Sequence, residues 1–263
     1  MAQLFVAGLC VLVSIFWFGE SLGGVEGLKA HATFLGGSDA VGTNNGACGY
    51  SNVLAMGYGT MTAALSAPIF REGKSCGACY KLRCRGSESV GCRSNDGVVV
   101  TVTDVCPERS VGGWCDGQPH FRLSEPAFAQ IAEPKSGGLV EVDYEKVSCD
   151  RRGGMHFLLV GHTHFLQILV HNVGGCGDVA AVSVKGGTGP WIRMSRSWGQ
   201  LWHTGEVLDG QALSISVTMG DGKVCVSNNF ADCMNKIYTH TIDRRNTARG
   251  VDAQFLMLQQ DGL

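Results

Sequence analysis

Cysteine content and spacing constrain this chain more than any other feature. Eight of the twelve cysteines fall between residues 48 and 149, three fall between 176 and 233, and Cys10 lies near the N-terminus. A dense, even set of eight is typical of a disulfide framework in an exported protein. A zinc site at Cys76 and Cys79 is the alternative, but no second pair has matching spacing. We therefore expect disulfides, no metal and no cofactor.

An apolar N-terminal run predicts export. Residues 4–18 carry no charge and are followed by small and polar residues. The run is too short for a comfortable membrane span and has the length of a signal-peptide core, although no basic residue precedes it. We predict a signal peptide over residues 1–24 and secretion to the extracellular space, with a retained anchor as the alternative.

The charge balance gives no indication of a nucleic-acid partner. The chain has 21 basic and 23 acidic side chains, for a formal net charge of −2, and neither half has the basic excess that marks nucleic-acid binding. Nucleic-acid binding is therefore not expected, and a neutral partner fits better.

A change in composition predicts two domains. The cysteine-rich part ends at Cys149 and is followed by charged and glycine residues. We place one domain at 25–149, a linker at 150–154 and a second domain at 155–263. In the first domain, 97–104 and 139–147 have the pattern of strands, and 125–132 has that of a helix capped by Ser124.

The second half has the pattern of a β-sandwich. Residues 157–160 and 165–170 predict a hairpin with its turn at 161–163. Further strands are predicted at 179–184, 191–194, 213–218 and 223–226, with glycine-rich turns between them. Short strands at such spacing are typical of a sandwich.

Several short sequence motifs resemble those of the plant alpha-expansins. They run from HATF (31–34), GACGY (46–50) and SCGAC (75–79) through VTDVCP (102–107), GGWC (112–115) and HFRLS (120–124) to NVGG (172–175), MSRSWGQ (194–200) and VSNN (226–229). The resemblance implies a mainly β fold, with a six-stranded double-psi β-barrel like that of family-45 endoglucanases, followed by an immunoglobulin-like β-sandwich that binds carbohydrate. It also implies four disulfides: Cys48 with Cys76, Cys79 with Cys149, Cys84 with Cys92, and Cys106 with Cys115. It ends near residue 229, and the tail beyond is atypical.

The resemblance further implies a secreted, monomeric plant cell-wall protein. Such proteins loosen walls by disrupting contacts between cellulose and xyloglucan-like hemicellulose, without hydrolysis. Hydrolysis needs two opposed carboxylates. Gly37 stands where related hydrolases have a base, and Arg122 stands where the family has an aspartate. A guanidinium stays charged and cannot act as a proton donor. We therefore expect no enzyme. The alternatives are a wall polysaccharide-binding protein that has lost loosening activity and, less in keeping with these residues, an endoglucanase.

The resemblance predicts a polysaccharide-binding cleft. This chain departs from the family pattern there at one further position, because Leu35 replaces a tyrosine of the cleft. Asp104 and Arg122 are hypothesised to pair across it. The alternatives to a binding role are structural: His120 as a hydrogen-bonded scaffold residue, and Asp39 and Asp104 as turn residues. The predicted cleft residues are Thr33, Phe34, Asp39, Thr103, Asp104, His120 and Arg122.

Aromatic residues of the second domain predict a binding platform. Strand alternation puts Phe165 on the face opposite Leu166, and it groups Trp198 with Trp202 if that stretch is extended. We predict a platform of Phe165, Trp198 and Trp202, with a tryptophan in the sandwich core as the alternative. Three cysteines also lie in this half, and Cys176 is free if Cys225 pairs with Cys233.

Overall fold

Two β units follow each other along the chain. The computed structural model describes residues 27–37, 39–86, 91–93, 97–108, 113–135, 137–162, 164–208 and 210–228. The predicted signal peptide and the atypical tail, with Cys10 and Cys233, lie outside the described residues.

The first unit is a closed six-stranded barrel with the order β1-β5-β2-β4-β3-β6. Two strand pairs, β1–β5 and β2–β4, are parallel, and the other four are antiparallel. Its strands are β1 Leu28–Leu35, β2 Thr62–Leu65, β3 Cys79–Cys84, β4 Val98–Val105, β5 His120–Ser124 and β6 Val140–Val147.

Alternation of apolar and polar residues explains the barrel strands that the sequence predicts. Val98, Val100 and Val102 of β4 point into the barrel core, and β6 alternates in the same way. The predictions at 97–104 and 139–147 are therefore confirmed. The other four strands have no simple alternation over their length, and the sequence did not predict them.

Two α-helices of the described residues, α1 Ala67–Phe70 and α2 Glu125–Ile131, pack beside the barrel. The second confirms the predicted helix and its cap, because the Ser124 hydroxyl accepts a hydrogen bond from the backbone N–H of Ala127 at 3.4 Å. Phe128 and Ile131 of α2 are buried in the barrel core.

Four disulfides hold the barrel loops, and they are the pairs that the resemblance implies: Cys48–Cys76, Cys79–Cys149, Cys84–Cys92 and Cys106–Cys115. In the second unit Cys225 is disulfide-bonded and Cys176 is a free thiol. The largest loop, of sequence separation 70, joins the start of β3 to the end of the barrel unit.

The second unit is a sandwich of two four-stranded antiparallel sheets, ordered β10-β9-β13-β14 and β11-β12-β8-β7. The predicted hairpin is confirmed as β7 and β8, but β7 extends through residues 161 and 162, which were predicted as part of the turn. Apolar side chains of both sheets meet in one core, among them Phe157, Ile168, Val182 and Ile215. The strands are β7 His156–His162, β8 Phe165–His171, β9 Val179–Gly186, β10 Ile192–Arg193, β11 Ser195–Trp198, β12 Leu201–Thr204, β13 Leu213–Met219 and β14 Val224–Ser227.

The outer face of the second sheet packs on the barrel. Leu169 and Leu201 belong to the barrel core cluster, and Leu158 and Val160 pack against it. The backbones also approach closely, because a Cβ on Gly77 would lie 2.6 Å from the carbonyl oxygen of Gly177.

Polar contacts join the units as well. The Tyr58 hydroxyl accepts from the backbone N–H of Asn172 at 3.1 Å, and the Lys146 ammonium pairs with Asp178 at 2.5 Å. No helix among the described ranges is long and apolar enough to cross a membrane.

Candidate functional site

Strand register aligns four residues in a row on the outside of the barrel. Thr33 of β1 is opposite Arg122 of β5, Arg122 is opposite Ala64 of β2, and Ala64 is opposite Asp104 of β4. Residues in register on neighbouring strands project from the same face of a sheet. Phe121, which precedes Arg122, points into the core instead. The row of Thr33, Arg122, Ala64 and Asp104 is called the barrel row below.

His120 lies two residues before Arg122 in β5, two register positions from the barrel row, and is fully buried. Its Nε2 lies 2.9 Å from the Thr33 hydroxyl, and its backbone N–H donates to Ser66 at 3.0 Å. Burial lowers the pKa of His120 to about 4, and His31 and the Arg122 charge contribute to the lowering. His120 is therefore neutral above that pH and orients the Thr33 hydroxyl.

Asp104 is engaged by the backbone. Its Oδ1 accepts from Ala47 N–H at 2.6 Å and from Val105 N–H at 2.8 Å. Gly46 lies against it, since a Cβ there would come within 2.8 Å of the Asp104 Cβ. Asp104 thus ties the loop at 46–48 to the end of β4.

The hypothesised ion pair between Arg122 and Asp104 is wrong. Ala64 separates them in the barrel row, so their Cα atoms are two strand spacings, about 10 Å, apart. None of the ion pairs between described residues includes Arg122. Its Nε is inaccessible to solvent and has no hydrogen-bond partner among the residues that the structure describes.

The other predicted cleft residues do not all lie on the outer face of the barrel. Thr103 is buried beside Asp104. Phe34 is not part of the outer face: it alternates with Thr33, belongs to the barrel-core side and contacts the Phe128 ring at 5.0 Å. Asp39 is exposed in the loop after β1, outside the barrel row.

Sequence reasoning missed two residues near the barrel row. His31 is opposite His120 in the register of β1 and β5, and its ring lies 5.0 Å from that of Trp114. His31 is two residues from Thr33, so strand alternation along β1 would have placed it on the outer face. Trp114 comes from a distant loop and has no such local signal.

The second sheet of the sandwich presents Phe165 and Trp198 at its outer surface, with exposed fractions of 37% and 49%. Polar side chains lie near them: Gln167 donates to the Ser197 hydroxyl at 3.4 Å, and that hydroxyl lies 2.8 Å from Nδ1 of His203. The His203 ring contacts Phe165 at 5.3 Å. His203 was not predicted, although its alternation with Trp202 in β12 is a signal for it. Phe165, Trp198 and His203 are called the aromatic surface below.

Trp202 does not belong to the aromatic surface, and its predicted place there is wrong. A turn at Gly199 and Gln200 reverses the chain, so Trp198 and Trp202 lie on different strands, β11 and β12. Trp202 is 4% exposed in the sandwich core. The Arg196 guanidinium lies 4.2 Å from the centre of its ring, and its indole N–H donates to Gln200 at 3.4 Å.

The barrel row and the aromatic surface are connected through one loop. The Trp198 ring lies 3.6 Å from the position a Cβ would take on Gly49. Gly49 directly follows the loop at 46–48 that Asp104 holds, and Gln200 N–H donates to the carbonyl of Cys48 at 3.0 Å. The two surfaces are therefore neighbours.

Acidic and metal-ligating side chains are sparse at both surfaces. Asp104 is the one carboxylate of the barrel row, and no group of three or more metal-ligating side chains occurs in the part of the chain that the structure describes.

A separate cavity of about 410 Å³ lies near the linker, lined by Met56, Arg151, Arg152 and Asn172 among others. Burial and the neighbouring His156 lower the pKa of His171 to about 4.

Family models match both units. A model for the expansin C-terminal domain matches residues 155–231, and a double-psi β-barrel model described as a lytic transglycolase matches residues 62–144. The fold class expected from the sequence, a double-psi barrel followed by a β-sandwich, is thereby confirmed.

Solved structures agree on the fold. Apo expansin from Clavibacter michiganensis is 21% identical and superposes with a TM-score of 0.57, covering 75% of this chain and 88% of that one. A point mutant of the same expansin in complex with cellohexaose gives 0.58 over the same shares, also at 21% identity.

Curated relatives are closer in sequence. Expansin-A13 of Oryza sativa subsp. japonica is 41% identical over 243 residues, which cover 87% of this chain and 92% of the relative. Expansin-A25 of the same plant is 46% identical over 74% of this chain and 79% of the relative, and Expansin-A12 of Arabidopsis thaliana is 43% identical over the same shares. With this identity over almost the full length of a relative, and with both domain models matched, the chain belongs to the plant expansins, in their alpha class.

Proposed function

We propose that this protein is secreted to the plant cell wall and loosens it as a monomer. It would do so by binding cellulose and xyloglucan-like hemicellulose noncovalently, without hydrolysis. The observation that carries the proposal is the exposed Trp198 beside the loop that borders the barrel row. A single glucan chain could contact both surfaces. The proposed organisation of the chain is a signal peptide at 1–24, a barrel domain at 25–149, a linker at 150–154 and a sandwich domain at 155–263.

Energetics support weak, reversible binding. A flat aromatic ring that buries roughly 100 Å² of apolar area against a sugar ring contributes about 2.5 kcal/mol before the entropy cost of association. Two such contacts, at Phe165 and Trp198, are strong enough to hold a polymer and weak enough to let it slide. The cellohexaose complex of the Clavibacter expansin supports cellulose as the ligand.

Residue chemistry supports an absence of hydrolysis. Cleavage of a glycosidic bond requires a carboxylic acid and a second carboxylate across the bond. In the barrel row, Arg122 occupies the position at which related hydrolases have the catalytic acid. A guanidinium stays protonated at wall pH, so it cannot donate a proton to the glycosidic oxygen. Asp104, the carboxylate of that row, uses its Oδ1 to accept two backbone hydrogen bonds that hold the neighbouring loop.

One experiment tests the loosening function. We would measure creep of heat-inactivated plant walls under constant load, at acid and neutral pH, with the native protein and with Arg122→Asp. Released reducing sugar would be measured in the same samples. The proposal expects creep by the native protein and no sugar release. Release of sugar would indicate an endoglucanase.

A second candidate is a wall-binding protein that has lost loosening activity. Arg122 and Leu35 favour it, because both replace polar or acidic residues that the family keeps in the cleft. In that case Arg122→Asp would cause creep and the native protein would not, although both would bind cellulose.

A further inference from the structure

Among the residues that the structure describes, Arg122 is a cation without an ionic partner at the centre of the barrel row. It is half-buried, its Nε makes no hydrogen bond, and none of the ion pairs between described residues includes it. A guanidinium held partly out of water without a counter-charge is costly, and a ligand that supplies the charge removes that cost.

The surroundings of Arg122 favour an anion. Thr33 on one side is neutral and bonded to His120, and Ala64 on the other side is a small residue. The Arg122 charge also acts on the buried His120 two residues earlier in the strand. The one carboxylate in the row, Asp104, lies beyond Ala64 and is held by backbone N–H groups. Within the barrel row, the Arg122 charge therefore has no counter-charge, although the chain as a whole carries −2.

We propose that Arg122 binds the carboxylate of a uronic acid unit in an acidic wall polysaccharide. This rests on the proposed function, since it assumes that the barrel row contacts polysaccharide. The guanidinium presents paired N–H donors that match the two oxygens of a carboxylate, and a neutral sugar hydroxyl leaves the charge unpaired.

The overall net charge strengthens the argument for a local site. A protein of net charge −2 has no long-range attraction for a polyanion. Binding to a polyuronate would therefore come from a specific contact, and removal of one guanidinium should abolish the preference.

Equilibrium binding to three polymers tests the inference. The full secreted protein would be titrated, at one moderate salt concentration, with polygalacturonate, with fully methyl-esterified polygalacturonate and with cellulose. We expect polygalacturonate to bind about tenfold more tightly than its ester, since one charge-assisted bidentate contact separates them. Arg122→Gln should remove this difference, and Arg122→Lys should retain part of it. The matched control is Arg193→Gln, which removes an exposed arginine from the other sheet of the sandwich and should leave the difference intact.

The possible failures are distinguishable. Equal binding of the ester and the free acid by a protein that binds cellulose would overturn the inference and leave the proposed function standing. Binding to none of the three polymers would overturn both. Equally tight binding to polyglutamate would show that the site recognises a carboxylate without its sugar, which also contradicts the inference.

Discussion

At the scale of single residues, two tryptophans four positions apart have opposite roles. Trp198 is half-exposed beside the barrel, whereas Trp202 is buried under Arg196. The Trp198→Ala variant should therefore weaken cellulose binding about tenfold while the unfolding midpoint stays unchanged. The Trp202→Ala variant should lower the free energy of unfolding by about 3 to 5 kcal/mol, because it empties a core position. Pull-down binding and urea unfolding measure the two effects. Unchanged cellulose binding in Trp198→Ala would remove Trp198 from the binding surface.

Buried histidines predict a loss of stability in acid. His120 and His171 have their pKa values lowered from 6.5 to about 4 by burial. The unfolded chain then binds more protons than the folded chain between these pH values, so the free energy of unfolding is highest above 6.5 and falls as the pH falls to 4. The loss is on the order of 3 kcal/mol for each histidine.

Substitution of one histidine isolates its share of that pH dependence. The His171→Gln variant should show a shallower fall in the free energy of unfolding across the same pH range, measured by urea denaturation at several pH values. The exposed His164 provides the control, and His164→Gln should keep the native slope. A native slope in His171→Gln would mean that His171 is not the group that titrates.

At the scale of one element, the start of α2 depends on Ser124. Its hydroxyl caps the helix through Ala127 and donates to the carbonyl of Thr60 at 2.5 Å. The Ser124→Ala variant removes both bonds from a buried site and should cost about 1 to 2 kcal/mol of folding free energy in urea unfolding. Ser195 is exposed on β11, so Ser195→Ala is the control and should change stability by less than about 0.5 kcal/mol. An equal loss in the two variants would argue against the cap.

At the scale of the whole molecule, the barrel and the sandwich share one apolar interface. Leu169 and Leu201 of the sandwich belong to the barrel core cluster, so neither unit buries its apolar surface alone. We expect a single cooperative thermal transition, with near-ultraviolet and far-ultraviolet circular dichroism giving the same midpoint. Two separate transitions would contradict a shared core.

A glycine at this interface, Gly77, and a second glycine with open space around it, Gly59, give a matched pair of variants. Gly77 and Gly59 both have positive φ, +80° and +71°. At Gly77 a Cβ would also meet the Gly177 carbonyl oxygen at 2.6 Å, whereas nothing lies within 4 Å of Gly59. The Gly59→Ala variant should cost about 1 to 2 kcal/mol from backbone strain alone. The Gly77→Ala variant should cost at least about 2 kcal/mol more, because the two units must separate. Similar midpoints for the two variants in thermal unfolding would indicate that the interface yields easily.

Much of this molecule follows from local sequence. Three predicted features depend only on residues close together in the sequence: the valines of β4, the hairpin of β7 and β8, and the cap of α2. The structure confirms each of them. The four barrel disulfides followed from motif resemblance. Arg122 could likewise be identified from the sequence as the replacement of an acid.

Tertiary structure decided what those residues contact. Trp202 became a core residue because a turn at Gly199 and Gln200 breaks the alternation that would have exposed it. Arg122 remained apart from Asp104 because β2, which is distant in sequence, inserts Ala64 between them. Local patterns determine which face of a strand a side chain occupies. Strand order and chain reversals depend on contacts between distant residues, and these determine which side chains meet.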